Sequence, residues 1–190
     1  MQKDRMLAFT DGVFAVIITI MVLDLKIPHG ATFDALRPEA TTFMTYILSF
    51  IYVAIYWNNH HHLFQMTDKT NGAILWANLH LLFWQSLAPF VTGWLGQSGA
   101  AGAPAATYGF VLLMSGVAFT ILQGCIIRQQ GPSSPLREAV GSDSKGKVSL
   151  GLYAAGIATS FWAPALAVAL CAVPAVIWLI PDRRIESRLT

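Results

Sequence analysis

At 190 residues, with 55% apolar and only 12% charged side chains, the chain is too apolar for a soluble domain of ordinary composition. Its net charge of +2 is small and its basic residues are scattered, which excludes a nucleic-acid-binding footprint. These values describe an all-α integral membrane protein whose surroundings are the lipid bilayer.

The first element runs from Arg5 to Pro28. From Gly12 to Leu23 only Thr19 has a polar side chain, and the run from Met6 to Ile27 crosses a hydrocarbon core of roughly 30 Å as one helix. On that helix Gly12, Val16, Thr19, Ile20 and Leu23 recur at spacings of three and four and share one face. Symmetry-related copies turning this face to a common axis would make apolar rings at Val16 and Leu23 with a ring of Thr19 hydroxyls between them. Equally, the face could pack on neighbouring helices, with the Thr19 hydroxyl bonded to a carbonyl one turn back. A cleaved signal peptide is not expected, because the apolar core is long and no small-residue cleavage site follows it.

The threshold of this helix carries Arg5, Phe9, Thr10 and Asp11. Thr10 and Asp11 suit a helix start, where short polar side chains accept from free N–H groups and a carboxylate faces the positive end of the dipole. In a helix that begins near Lys3, however, Arg5 and Asp11 lie just below the apolar run, where ionisable groups need partners.

Further along, Pro28-His29-Gly30 ends the first span and a polar link runs to about residue 41. The second span is expected at about 42–64, with Tyr46, Ser49, Tyr52 and Tyr56 in a stripe suited to interhelical hydrogen bonds. The third is expected at about 72–94 with a kink at Pro89, and the fourth at about 105–127. The segment from Arg128 to Lys147, broken by Gly, Pro and Ser, reads as a mobile link. From Val148 to Ile180 there are 33 residues without a charge, too many for one ordinary span. Two short helices at about 147–162 and 164–181 account for them, with a single tilted and kinked helix as the alternative. Six spans in a single domain over 1–190 result, and no internal repeat is visible.

Charge checks the topology. With both termini in the cytoplasm, only Lys26 and Arg37 of the twelve basic residues fall outside, as the positive-inside rule requires. Cys125 and Cys171 lie inside apolar segments and read as small hydrophobes. The three histidines at 60–62 are about 100° apart on a helix and cannot converge on one ion as a pair at i and i+4 can, so no resident metal is expected. One of them, His60, is expected to turn inward toward Asp11. Trp76 and Asn78 open the third span at the same depth, so Arg5, Thr10, Asp11, His60, Trp76 and Asn78 could form one hydrogen-bonded cluster.

Several of these residues fall into a known pattern. Arg5-x-x-x-Phe9-Thr10-Asp11 resembles the R-x-x-x-F-S-D signature that opens the first helix of the endolysosomal potassium channel family, transmembrane protein 175, and its bacterial relatives. Trp57-Asn58-Asn59-His60-His61-His62-Leu63-Phe64-Gln65 resembles the family's second-helix ending, and Leu75 to Leu79 with Leu87 to Phe90 resembles its third helix. The likeness covers the chain to about Phe90 and is only hydropathic beyond. Thr10 stands where serine is usual, which keeps the hydroxyl. The resemblance implies a homotetramer in the bacterial inner membrane with the first helix at its axis and a modest preference for potassium over sodium. It also implies that the signature knits helices together without touching the ion.

Function classes narrow accordingly. No nucleophile motif, paired carboxylates or metal-ligand spacing argues for an enzyme, and no cofactor is expected. A proton- or cation-coupled secondary transporter is the alternative, but it calls for charged or broken helices near the midplane and usually an internal repeat. No T-V-G-Y-G filter loop exists. A channel built from this chain would therefore use an apolar constriction and a threonine ring on the first helix, holding potassium only in transit.

Overall fold

In the computed structural model, which describes residues 3–179, every regular element is a helix. α1 covers Lys3–Leu23, a 3₁₀ helix covers Phe33–Glu39, and α2 follows directly over Ala40–Gln65. α3 (Gly72–Ser86) starts where the Asn71 side chain accepts from the Ile74 amide at 3.0 Å. α4 (Ala88–Gln97) continues it after a break at Leu87. Pro89 causes the break: lacking an N–H, it is accommodated in the first turn of a restarted helix. The kink expected near the end of the third span is thus a division of that span into two helices.

α5 (Gly102–Gln130) is stopped by Gly131 at φ +85°, a left-handed conformation that glycine adopts without penalty. α6 (Pro135–Val140) is a short helix capped by Ser134, whose hydroxyl accepts from the Arg137 amide at 3.1 Å. Leu136 and Ala139 of α6 are buried, so the 128–147 segment is a docked element rather than the expected free link. α7 (Ser144–Thr159) and α8 (Pro164–Leu179) form an antiparallel pair joined by a tight turn. The last expected span reaches to 181, and its end, with the C-terminal arginines, lies outside the described residues.

Among the described residues, four helical segments are long and apolar enough to cross a membrane: Lys3–Leu23, Phe33–Gln65, Gly72–Gln97 and Gly102–Gln130. α8 is apolar but shorter. Over the 16 described residues of each, α7 and α8 are about 24 Å long. α5 sits centrally, packing on α3, α4, α7 and α8, while α1 lies at the edge against α2, α3 and α4. The core between these helices is closed by Ile74, Leu81, Leu95, Leu122 and Ile126. Close approach at Gly96 lets α4 lie on α2, since a Cβ there would come within 2.8 Å of the Thr42 Cα.

Candidate pore face and the polar end behind it

α1 has two unlike sides. Met6, Thr10, Phe14, Ile17 and Met21 are buried against α2, α3 and α4. Gly12, Val16, Thr19, Ile20 and Leu23 lie on the opposite side and are all exposed, Val16 at 55% and Leu23 at 81%. The division follows from the 100° step per residue: one apolar stripe is consumed by the fold and a second is left without a neighbour in the subunit. A Cβ added at Gly12 would meet nothing within 4 Å. The Thr19 hydroxyl donates to the Val16 carbonyl at 2.9 Å, as the backbone-bonded reading has it. That bond uses the hydroxyl proton and leaves the oxygen's two lone pairs as acceptors.

Below this face lies a buried polar chain. Asn78 Nδ2 donates to Thr10 Oγ1 at 2.8 Å, and Asn78 Oδ1 lies 2.8 Å from His60 Nε2. With the amide nitrogen committed to Thr10, the amide oxygen accepts, so His60 carries its proton on Nε2. All three side chains are sealed in the subunit, and the His60 ring is packed between Phe14 and Phe64. The chain therefore stitches α1, α2 and α3 together at one depth. His60 turns inward as expected, yet its hydrogen bond goes to Asn78 rather than to Asp11.

Asp11 has a different partner. Its carboxylate accepts from Trp57 Nε1 at 2.9 Å, and the Trp57 ring stacks on His61 at a centroid distance of 6.1 Å. Trp57 was visible at the head of the second-helix motif, one turn before His60 and His61, but nothing in its spacing named Asp11. Arg5, Phe9 and Trp76 are exposed and take no part in the buried chain. Lys3, which sequence reading left unassigned, donates to the Thr67 carbonyl at 2.7 Å and ties the start of α1 to the α2–α3 turn. His61 and His62 both contact Gln65, and among the described residues no three His, Cys, Asp or Glu side chains are grouped to hold a metal ion.

An edge helix with an open apolar stripe, backed by a polar chain and accompanied by membrane-length helices, defines an all-helical multi-pass membrane protein. Residues 5–89, which hold the open stripe of α1 and the polar chain behind it, match the family model described as endosomal/lysosomal potassium channel TMEM175. A potassium channel of Chryseobacterium sp. is 56% identical over 100% of this chain and 98% of its own length. The human endosomal/lysosomal proton channel TMEM175 is 31% identical over 46% of this chain and 18% of its own length. The crystal structure of a lysosomal potassium-selective channel TMEM175 homolog from Chamaesiphon minutus superposes with a TM-score of 0.82. It is 27% identical, covering 94% of this chain and 97% of that one. The chain belongs to the TMEM175 family. These relatives are ion channels, not enzymes.

Proposed function

We propose that this chain is a potassium-selective cation channel of the plasma membrane, assembled as a homotetramer with α1 of each subunit at the axis. The observation that carries this reading is the exposure of Gly12, Val16, Thr19, Ile20 and Leu23 together on the side of α1 that its own subunit leaves open. In water such a stripe would be costly; in the bilayer it is available either to lipid or to other subunits. Four copies closing on an axis turn Val16 and Leu23 into apolar rings that restrict hydrated ions, a constriction able to gate by dewetting. Thr19 oxygens between those rings partly replace water around the more weakly hydrated potassium ion. The α7–α8 pair supplies the fifth and sixth spans, and both termini are cytoplasmic by the positive-inside rule.

The signature residues act at one remove. Thr10, Asn78 and His60 hold α1 to α2 and α3, so the pore face keeps its rotation; Arg5, Phe9 and Trp76 are the members left exposed for contact with neighbouring subunits. The test is flux of potassium, sodium and protons into liposomes holding the purified protein. A passive potassium-preferring flux that needs no counter-ion supports a channel. Flux that requires an opposing or accompanying ion gradient would establish the coupled transporter instead.

A further inference from the structure

Behind α1, midway along the bundle, a small cavity is enclosed by α2, α3, α4 and α5. One of its walls is a closed set of hydroxyls. Thr92 Oγ1 donates to Ser49 Oγ at 2.7 Å, and Ser49 is hydrogen-bonded to the Tyr108 hydroxyl at 3.0 Å. Met21 of α1 abuts this set, its Sδ 4.0 Å from Thr92 Oγ1. The other walls are different. Gln85, Ser115 and Tyr56 line the same cavity, are 3%, 1% and 9% exposed, and have no hydrogen-bond partner among the described residues.

An amide and two hydroxyls left unpaired in a membrane interior are expensive, because nothing in the surrounding hydrocarbon can replace the bonds they lose. Yet no described polar side-chain atom that is sealed from water-sized space lacks a partner. The polar atoms of these three residues therefore touch space that a water can enter, and the cavity they line is such a space. Its volume is ≈ 20 Å³, and about 10–15 Å³ is enough for one water with two to four polar neighbours. Tyr52 and Tyr56 are shared with a second cavity between α2, α5 and α7, of ≈ 60 Å³ on the same measure. That one shares Asn59, Phe119 and Gln123 with a third, flanked by Leu63 of α2, Leu136 and Val140 of α6 and the start of α7. Toward the opposite end Leu95 is fully buried and Gly96 packs on Thr42.

We propose that each subunit binds ordered water through Gln85, Ser115 and Tyr56, at the blind end of a hydrated inlet that enters beside α6 and the start of α7 and stays separate from the open face of α1. The inlet ends at Thr92, which contacts Met21 on the buried side of the helix assigned to the pore, so bound water completes the polar packing behind that helix. Only this last relation rests on the channel reading; the water site itself is independent of conduction.

The experiment is X-ray hydroxyl-radical labelling of the full-length protein in lipid nanodiscs, read residue by residue by mass spectrometry. Radicals formed from a bound water oxidise the side chain beside it, however deeply it is buried. Tyr56 is expected to label well above Phe64, which is also buried but lines none of these cavities. The double variant Gln85→Leu, Ser115→Ala removes two of the water's partners and should lower Tyr56 labelling by roughly threefold or more, with Phe64 unchanged. Ser115→Ala alone, the milder change, should lower it partway and serves if the double variant does not fold. Tyr56 labelling at the Phe64 level in the unaltered protein, or labelling indifferent to Ser115→Ala, would overturn the proposal. Absence of potassium flux alongside strong Tyr56 labelling would strike at the channel reading and leave the water site standing.

Discussion

Thr19 gives its proton to the Val16 carbonyl, and this leaves its oxygen able to accept from the open side of α1. Backbone bonding and ion contact are therefore compatible roles for one hydroxyl. Thr19→Val keeps the shape and removes the acceptor, so a folded channel that has lost most of its preference for potassium over sodium is expected. Reversal potentials under a potassium–sodium gradient decide it; Thr19→Ser should retain the preference, and an unshifted value in Thr19→Val would confine the hydroxyl to its helix. Asn78 makes the opposite case, a residue whose work is structural. Asn78→Leu leaves the Thr10 hydroxyl and the His60 imidazole buried without partners, at about 1–3 kcal/mol each. A clear drop in the thermal transition of the detergent-solubilised protein is expected, with ion preference unchanged in whatever fraction folds. The meeting of Thr10, His60 and Asn78 was legible in sequence because spacing places them at the same membrane depth. Their pairing was not: whether Asp11 meets His60 or Trp57 depends on a few tens of degrees of helix rotation, and hydropathy does not encode that angle.

At the scale of helices, the same residue type separates two kinds of contact. Gly96 lies where α4 touches the α2 backbone, and a methyl there must push the helices apart, at about 1–3 kcal/mol. Gly12 faces open space, so Gly12→Ala costs the subunit nothing by contact. The expected outcome is that Gly96→Ala lowers the thermal transition while Gly12→Ala leaves it in place and alters conduction. The ring at Val16 extends this logic: Val16→Ala should raise leak and reduce discrimination, and Val16→Phe should lower flux, because a change near an axis is repeated in every subunit. Liposome flux reads both; unchanged flux in both would move α1 away from the axis. The first, second and fourth spans were legible from apolar length, and their observed ends lie within a few residues of expectation. Pro89 signalled a kink, but the full division at Leu87 depends on α4 finding α2 to pack on. α6 left no trace in pattern, since six residues among Gly, Ser and Pro carry too short a period; it exists because Leu136 finds a buried seat beside α5.

For the whole molecule, the question is what covers the open stripe of α1. Lipid would leave each copy independent, whereas an axial α1 brings equivalent residues of neighbouring subunits side by side. A cysteine at that stripe distinguishes the two. Cys125 and Cys171 are first replaced by alanine, so that an introduced thiol is the only one present. Val16→Cys in this background is expected to join adjacent subunits when a short bifunctional thiol reagent is added in the membrane. A single cysteine per chain can pair once, so the product is a dimer band. It should come from a particle whose mass in detergent, by light scattering, corresponds to four chains. Val176→Cys is the control: it is exposed on α8, an element that packs on α2, α5 and α7, and it should remain unlinked. Linking at both positions would indicate random encounters in the bilayer. A one-chain mass with no Val16→Cys dimer would mean that lipid, not a second subunit, faces α1, and the axial pore would have to be abandoned.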